Sequence, residues 1–246
     1  MTSEQNVLVL GEGLEGATAS WTFSGKTAEV FDQHVSKSVP AYESGHHLIV
    51  RLSDFFVRPD TNVYEIGCST ATLTAKLAER HRRKRVHIVG IDIEADMVAA
   101  ARTKCEALTN VSIVHGDAQA LDFEHASLIV MYYTLQFIPL RDRPSFLEKL
   151  YGALIPGGAI LLFEKTVFED GEIQDLISQV YHEHKMEQGY SSEEILGKSL
   201  SLRGVLQPCT SIANQRLLRT AGFSKVAVIH KQLAFEGYLA IKGLVD

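Results

Sequence analysis

The sequence predicts a doubly wound α/β domain, a mostly parallel seven-stranded sheet with helices on both faces, N-terminal helices and a helical lid. Three observations predict it. From Thr61 onward, short β-branched runs alternate with helical patterns. The runs lack clean polar alternation, as strands covered on both faces do. The chain of 246 residues, 46% hydrophobic and 22% charged, is long enough to bury one large core.

The elements follow in order. "NVYEIGC" reads as a strand, and "TATLTAKLAERH" as a helix with Leu73 and Leu77 one turn apart. "VHIVGID" is a strand and "ADMVAAARTKCEAL" a helix. "VSIVHGD" and "ASLIVMYYTLQF" follow as strands, then "RPSFLEKLYGAL" as a helix with Pro144 near its first turn. "IPGG" reads as a turn and "AILLFEK" as a strand. A polar helical stretch over 172–198, the helix "SIANQRLLRTAG" and the strands "KVAVIH" and "GYLAIKG" close the chain. These boundaries predict one domain over 21–246: a helical cap (21–58), a nucleotide-binding core (59–165), a lid (166–204) and a C-terminal helix with two strands (205–246). Residues 1–20 are expected to be a flexible tail.

That tail contains Gly11-Glu12-Gly13-Leu14-Glu15-Gly16, a letter-for-letter G-x-G-x-x-G. The fingerprint needs a strand, a glycine turn, a helix and a second parallel strand within about 30 residues. Here helical patterns such as "TAEVFDQHV" and "HHLIVRLSDFF" follow, and no strand comes before Val63. The glycines are a decoy.

The formal charge of −6 argues against a protein that coats nucleic acid. The basic run His81-Arg82-Arg83-Lys84-Arg85 reads as a solvated helix end, with an RNA patch the lesser reading. No stretch is long and apolar enough to span a bilayer, no secretion signal is evident, and three cysteines without C-x-x-C spacing indicate neither disulfides nor zinc. A cytoplasmic, metal-free protein is the expectation.

The strand–turn–helix context of a nucleotide site occurs instead at "VYEIGCSTATL". Gly67, Cys68 and Ser69 offer small side chains and a helix start with free N–H groups. Asp92 ends the next strand, where a carboxylate can accept both ribose hydroxyls. Asp117, in "VHGDA" after the third, can accept from an adenine amino group. Helix capping is the bland reading of each aspartate taken alone. Tyr132, Tyr133, Phe137, Tyr181, Trp21 and Phe23 supply rings that can face a cation or simply pack. Cys68 reads as a small neighbour of a ligand.

The motifs "EIGCSTA", "GID", "GDA" and "LIPGGAILL" resemble the class I S-adenosyl-L-methionine (SAM) methyltransferase fold, which is Rossmann-like. "WTFSGKTAEVFDQHVSKSVPAYE", "YTLQFIP", "FEKTVFED" and "GYSSEEI" resemble the carboxy-SAM synthases, from Trp21 to the C-terminus. Those enzymes join SAM to the carboxyl group of prephenate. The resemblance implies SAM contacts at Tyr42, Gly67, Cys68, Ser69, Asp92, Ile93, Asp117, Ala118, Tyr132 and Tyr133. It also points to a homodimer.

The chain departs from that family twice. Tyr132 stands where the family has Asn, and Ser199 where it has the Arg that holds the extra carboxylate of carboxy-SAM. Loss of a guanidinium fork removes both charge and geometry; Arg203 lies four residues on. A site lacking that fork suits SAM as sole substrate, its amine attacking the γ carbon to give azetidine-2-carboxylate and methylthioadenosine. Tyr132, Tyr181 and His182 are the candidate catalytic residues, with His184 a second proton acceptor. Methyl transfer to a small-molecule acceptor, carboxy-SAM synthesis and a catalytically silent SAM binder follow in that order.

Overall fold

The computed structural model describes residues 7–11, 14–19, 21–23 and 25–244. A hairpin of β1 (Leu8–Gly11) and β2 (Leu14–Gly16) precedes α1 (Lys26–Ser38) and α2 (Tyr42–Phe56). The alternating part comprises β3 (Thr61–Ile66), α3 (Thr72–His81), β4 (Val86–Asp92), α4 (Ala95–Cys105), β5 (Val111–His115) and β6 (Ala126–Tyr132). It continues through α5 (Arg143–Ala153) and β7 (Leu154–Val167). Then come α6 (Gly171–Glu187), α7 (Ser192–Ser201), β8 (Cys209–Thr210), α8 (Ser211–Thr220), β9 (Lys225–Gln232) and β10 (Phe235–Ile241).

The seven main strands lie in the order β5-β4-β3-β6-β7-β10-β9, and the two-residue β8 pairs with β7 off that path. The first five are parallel; β10 runs antiparallel to both its neighbours. This is the mostly parallel, seven-stranded, doubly wound sheet that the sequence predicts.

Side-chain alternation explains why both faces are covered. In the fully buried β6, Ile129 and Met131 join Phe146, Leu147 and Leu218 of α5 and α8 on one face. Leu128, Val130 and Tyr132 join Ile49 and Phe56 of α2 and Leu73 and Leu77 of α3 on the other. Strand period 2 and the i, i+4 pair on α3 thus meet in one core layer. The doubly wound arrangement sends the carboxyl ends of β3, β4, β5, β6 and β7 to one edge.

Three local expectations differ from the structure. The strand expected over "ASLIVMYYTLQF" stops at Tyr132, because Tyr133 takes φ 63° and Leu135–Phe137 wind into a single 3-10 turn. "IPGG" does not end the preceding element; it is a bulge in β7, with Ala126 opposite Leu154 and Leu128 opposite Ala159. The expected flexible tail is, over its described residues, the β1–β2 hairpin. Buried Leu10 and Leu14 pack with Trp21, and the Ala19 and Trp21 amides donate to the carbonyls of Leu200 and Ser201 on α7. Apolar alternation in "VLVLGEGL" is what docks it. Residues 1–6, 12–13 and 20 of that segment lie outside the described residues.

The basic run at the end of α3, with Arg80 just before it, is a helix end partly paired with acids. Arg80 pairs with Asp54, Arg82 with Glu79 and Arg85 with Asp60. His81 differs: it is buried, and its Nε2 lies 2.7 Å from Ser53 Oγ on α2. Since Ser53 Oγ already donates to the Val50 carbonyl, His81 Nε2–H is the donor, and buried Nδ1 has no partner among the described residues. Burial, with Lys84 adding its charge, brings this imidazole from 6.5 to about 4. A histidine whose folded pKa is depressed binds fewer protons than the unfolded chain between those values, so stability falls as pH drops through that window. Urea unfolding at pH 7, 6 and 5 should show the decline, and His81→Gln should flatten it; an unchanged slope would show that His81 does not titrate with unfolding.

Candidate functional site

At the carboxyl edge of the sheet the loops after β3, β4, β5 and β6 open onto one cavity of about 790 Å³, roofed by α1, α6 and α7. Its floor starts where β3 ends. Gly67 has φ 72°, and a Cβ there would collide with Thr134 Oγ1, whose hydroxyl donates to the Ile66 carbonyl. Ser69 (φ 50°) and Ala71 (φ 61°) are also left-handed, which turns the chain sharply into α3. Small side chains throughout leave the backbone accessible.

The loop is pinned from the side. Asp92, at the end of β4, accepts the Ser69 amide on Oδ2 at 2.7 Å and the Glu94 amide on Oδ1 at 3.0 Å. Each oxygen keeps a lone pair for a further donor. Burial raises the Asp92 carboxyl, and the Glu94, Ser69 and Ile93 amides oppose the rise. Asp117 lies exposed on the third loop, its Oδ1 accepting the Gln119 amide at 2.9 Å. Asp117 therefore closes a turn and caps no helix, and Asp92 combines a structural grip with spare acceptor capacity.

Twelve of the residues singled out from the sequence line this cavity: Tyr42, Gly67, Cys68, Ser69, Asp92, Ile93, Asp117, Ala118, Tyr132, Tyr133, Tyr181 and His182. Their states differ. Cys68 is buried, and burial followed by the charge of Glu65 pushes its thiol up, so it is a neutral small residue. Tyr132 donates to the Tyr42 carbonyl at 2.6 Å and packs against Tyr42, His46, Tyr133 and Phe163, with ring centroids 4.7 to 5.0 Å away. Burial pushes its phenol up, as it does that of Tyr181, which donates to the Ser38 carbonyl at 2.8 Å. Neither phenol is a base; each offers a ring and ties two elements together. Burial, then Lys185 and Lys165, hold His182 below its ordinary value, so its imidazole is a neutral proton acceptor. His184 is not in the cavity wall.

Ser199 and Arg203 both reach the wall, each solvent-exposed. Lys198 is differently engaged, against His34 and 3.7 Å over the Trp21 ring.

Several lining residues escape a linear reading. Asp32 of α1 accepts from Thr70 Oγ1 at 2.8 Å, Thr72 Oγ1 at 3.1 Å and Lys104 at 2.7 Å, fastening the cap across the start of α3. Burial raises its carboxyl, but these donors outweigh burial and leave it lowered. Glu65, in the strand before Gly67, accepts from Thr74; burial pushes it up to about 8, so it is protonated at neutral pH. Lys165 and Lys185 also face the cavity. The only signals for these were the acid of "VYEIGC", the lysine of "FEK" and the lysine beside the histidines of "VYHEHK".

Tyr132 depends on one glycine. A Cβ on Gly45 of α2 would collide with the Tyr132 hydroxyl. Gly45→Ala should destabilise the fold by roughly 1–3 kcal/mol, the usual cost of overpacking. Adding Tyr132→Phe should restore part of that loss in thermal denaturation, whereas additive losses would place the clash elsewhere.

The geometry now meets the known proteins. A family model described as a methyltransferase domain matches residues 63–158, the β3-to-β7 part of the sheet. The human N-acetylserotonin methyltransferase, solved in complex with SAM, superposes with a TM-score of 0.62 at 20% identity, covering 89% of this chain and 57% of that one. The YcgJ protein of Bacillus subtilis gives 0.61 at 13% identity, over 82% of this chain and 99% of that one. These likenesses establish the fold. In sequence, the carboxy-S-adenosyl-L-methionine synthase of Staphylococcus epidermidis is 38% identical over 223 residues, 90% of this chain and 97% of that protein. The synthase of Shewanella baltica is 34% identical over 227 residues, 91% and 93% of the two chains. With likeness at this level along nearly the whole length, the chain belongs to the carboxy-S-adenosyl-L-methionine synthase family, on the class I SAM methyltransferase fold.

Proposed function

We propose that the protein binds SAM in this cavity and closes its amino-acid arm into azetidine-2-carboxylate. The nucleoside lies along the Gly67 loop, with its ribose hydroxyls on Asp92 and its adenine beside Asp117 and Ala118. The α-amino nitrogen attacks the γ carbon in line with the carbon–sulfur bond. That bond's electron pair passes to sulfur, and methylthioadenosine leaves. The α-ammonium gives up a proton before it attacks, for which neutral His182 is the acceptor in the wall, and the product leaves as the azetidinium form.

The observation that carries this reading is Ser199 in the cavity wall, where the family's carboxylate-holding Arg would stand. A hydroxyl supplies no charge to hold a second carboxylate on the sulfonium carbon. The chemistry asks little of the protein beyond placement, because an intramolecular attack held in line gains effective molarities of about 10⁵ M or more. Two features help. Lys165 and Lys185 disfavour a further cation nearby, which keeps the attacking amine neutral. The Tyr132 and Tyr133 rings face the sulfonium, worth about 0.5–2 kcal/mol each when desolvated.

Carboxy-SAM synthesis is the second reading. It is supported by 38% identity to a protein bearing that name, and by Arg203 in the cavity wall as another cation for a carboxylate. Methyl transfer to a small acceptor uses the same SAM site and draws on the room of the cavity.

Incubation of the pure protein with SAM alone, followed by mass spectrometry, separates these. Methylthioadenosine and azetidine-2-carboxylate in equal amounts are expected. SAM that stays intact until prephenate is added, then yields carboxy-SAM, would replace the cyclisation reading with the second; S-adenosylhomocysteine formed only with an acceptor would replace it with methyl transfer. Tyr132→Ala should slow SAM turnover more than tenfold, and an unchanged rate would remove the ring from the mechanism.

A further inference from the structure

Two lysines stand in the cavity wall without an acid to meet them. Lys165, on β7, holds its ammonium 4.9 Å from the Tyr181 ring centroid and 5.9 Å from that of Phe235. Lys185, the one buried residue of α6, lies 5.0 Å from the same Tyr181 ring. Among the described residues no carboxylate bears on either: burial alone lowers Lys165, and burial with the charge of Lys165 brings Lys185 down to about 8.

A third group shares their predicament. The Tyr133 hydroxyl is buried with no hydrogen-bond partner among the described residues, on a ring 5.8 Å from Phe235 in the same wall. Its backbone has φ 63°, a conformation rare for a tyrosine. Buried polar groups are ordinarily satisfied and buried charges ordinarily paired. Ring faces offset only part of the desolvation of an ammonium. Two cations and a hydroxyl held open around the Tyr181–Phe235 pair are complementary to an anion.

The strand order places this corner apart from the ribose acceptor. Asp92 ends β4, and Lys165 lies on β7, three strands away across β3 and β6. At about 4.8 Å per strand, a ligand whose ribose rests on Asp92 meets the lysines with its reacting end, not its nucleoside.

We propose that Lys165, Lys185 and the Tyr133 hydroxyl form a carboxylate-binding subsite at the β7–α6 end of the cavity. The carboxylate has two sources: the amino-acid arm of SAM itself, folded toward the lid, or a separate carboxylic acid. The subsite rests on the reading of the cavity as a SAM site but not on which reaction follows. Once occupied, it fixes one end of the reacting arm, and its anion relieves the repulsion between the two ammonium groups.

Isothermal titration calorimetry on the full chain tests it with three ligands that share the nucleoside: SAM, decarboxylated SAM, and methylthioadenosine, which lacks the amino-acid arm. Malonate added to the methylthioadenosine-loaded protein probes a separate acid. Lys165→Met and Lys185→Met should each weaken a carboxylate-bearing ligand at least tenfold and leave methylthioadenosine unchanged. Loss for SAM but not decarboxylated SAM assigns the subsite to the amino-acid arm. Loss of malonate with SAM unchanged assigns it to a separate acid. Affinities unchanged from wild type for every ligand, or an equal loss for all of them, would overturn the subsite. Because these readouts are binding constants, absence of azetidine-2-carboxylate leaves them intact. Should a methionine variant fail to fold, the wild-type protein decides: excess acetate should compete with SAM or malonate but not with methylthioadenosine, and competition with none or with all contradicts the proposal.

Discussion

The Ser69 amide donates to Asp92 across 2.7 Å, and that bond joins the loop after β3 to the end of β4. Three left-handed residues within five positions, Gly67, Ser69 and Ala71, form a turn that is costly unless its surroundings hold it. Asp92 holds it from one side, Thr134 closes over Gly67 from another, and Asp32 fastens the entrance of α3 through Thr70 and Thr72. The parallel order of β5-β4-β3-β6-β7 delivers all of these to one edge. A ligand arriving there meets a backbone already shaped, so little ordering remains to be done on binding.

The aromatic wall is a second consequence of the core rather than an ornament of the site. Tyr132 shares a face of β6 with Leu128 and Val130, so its ring continues the hydrophobic layer beneath α2. Its hydroxyl reaches the Tyr42 carbonyl only because α2 carries Gly45 opposite. Tyr132 is thus supported by the packing around it. Ser199, by contrast, is exposed on α7, where a side chain can change with little cost to stability.

Strand and helix order was legible because the apolar runs of β3, β4, β6 and β7 are fully or largely buried, and burial on two faces writes itself as uninterrupted hydrophobicity. Gly67, Asp92 and Asp117 were legible because they sit one after another at strand ends. Lys165 and Lys185 were not, because a lysine in "FEK" or "HEHK" reads as a solvated charge until the fold turns it inward. Asp32 looked like one acid among several on α1; only the docking of α1 over α3 gives it Thr70, Thr72 and Lys104 as partners. The tail misled for the opposite reason. Its glycines suggested freedom, while Leu10 and Leu14 had a surface on nearby Trp21 and on Leu202, which lies far away in sequence.

The arrangement of sheet, cap and lid makes sense as a SAM site only if the nucleoside lies along the loop from Gly67 to Ala71. A crystal structure with S-adenosylhomocysteine measures this most directly. The account requires both ribose hydroxyls within hydrogen-bond distance of Asp92 and the adenine between Ile93 and Ala118. A nucleoside seated against the glycines of the β1–β2 hairpin, or one that leaves Asp92 bound only to backbone amides, would contradict it.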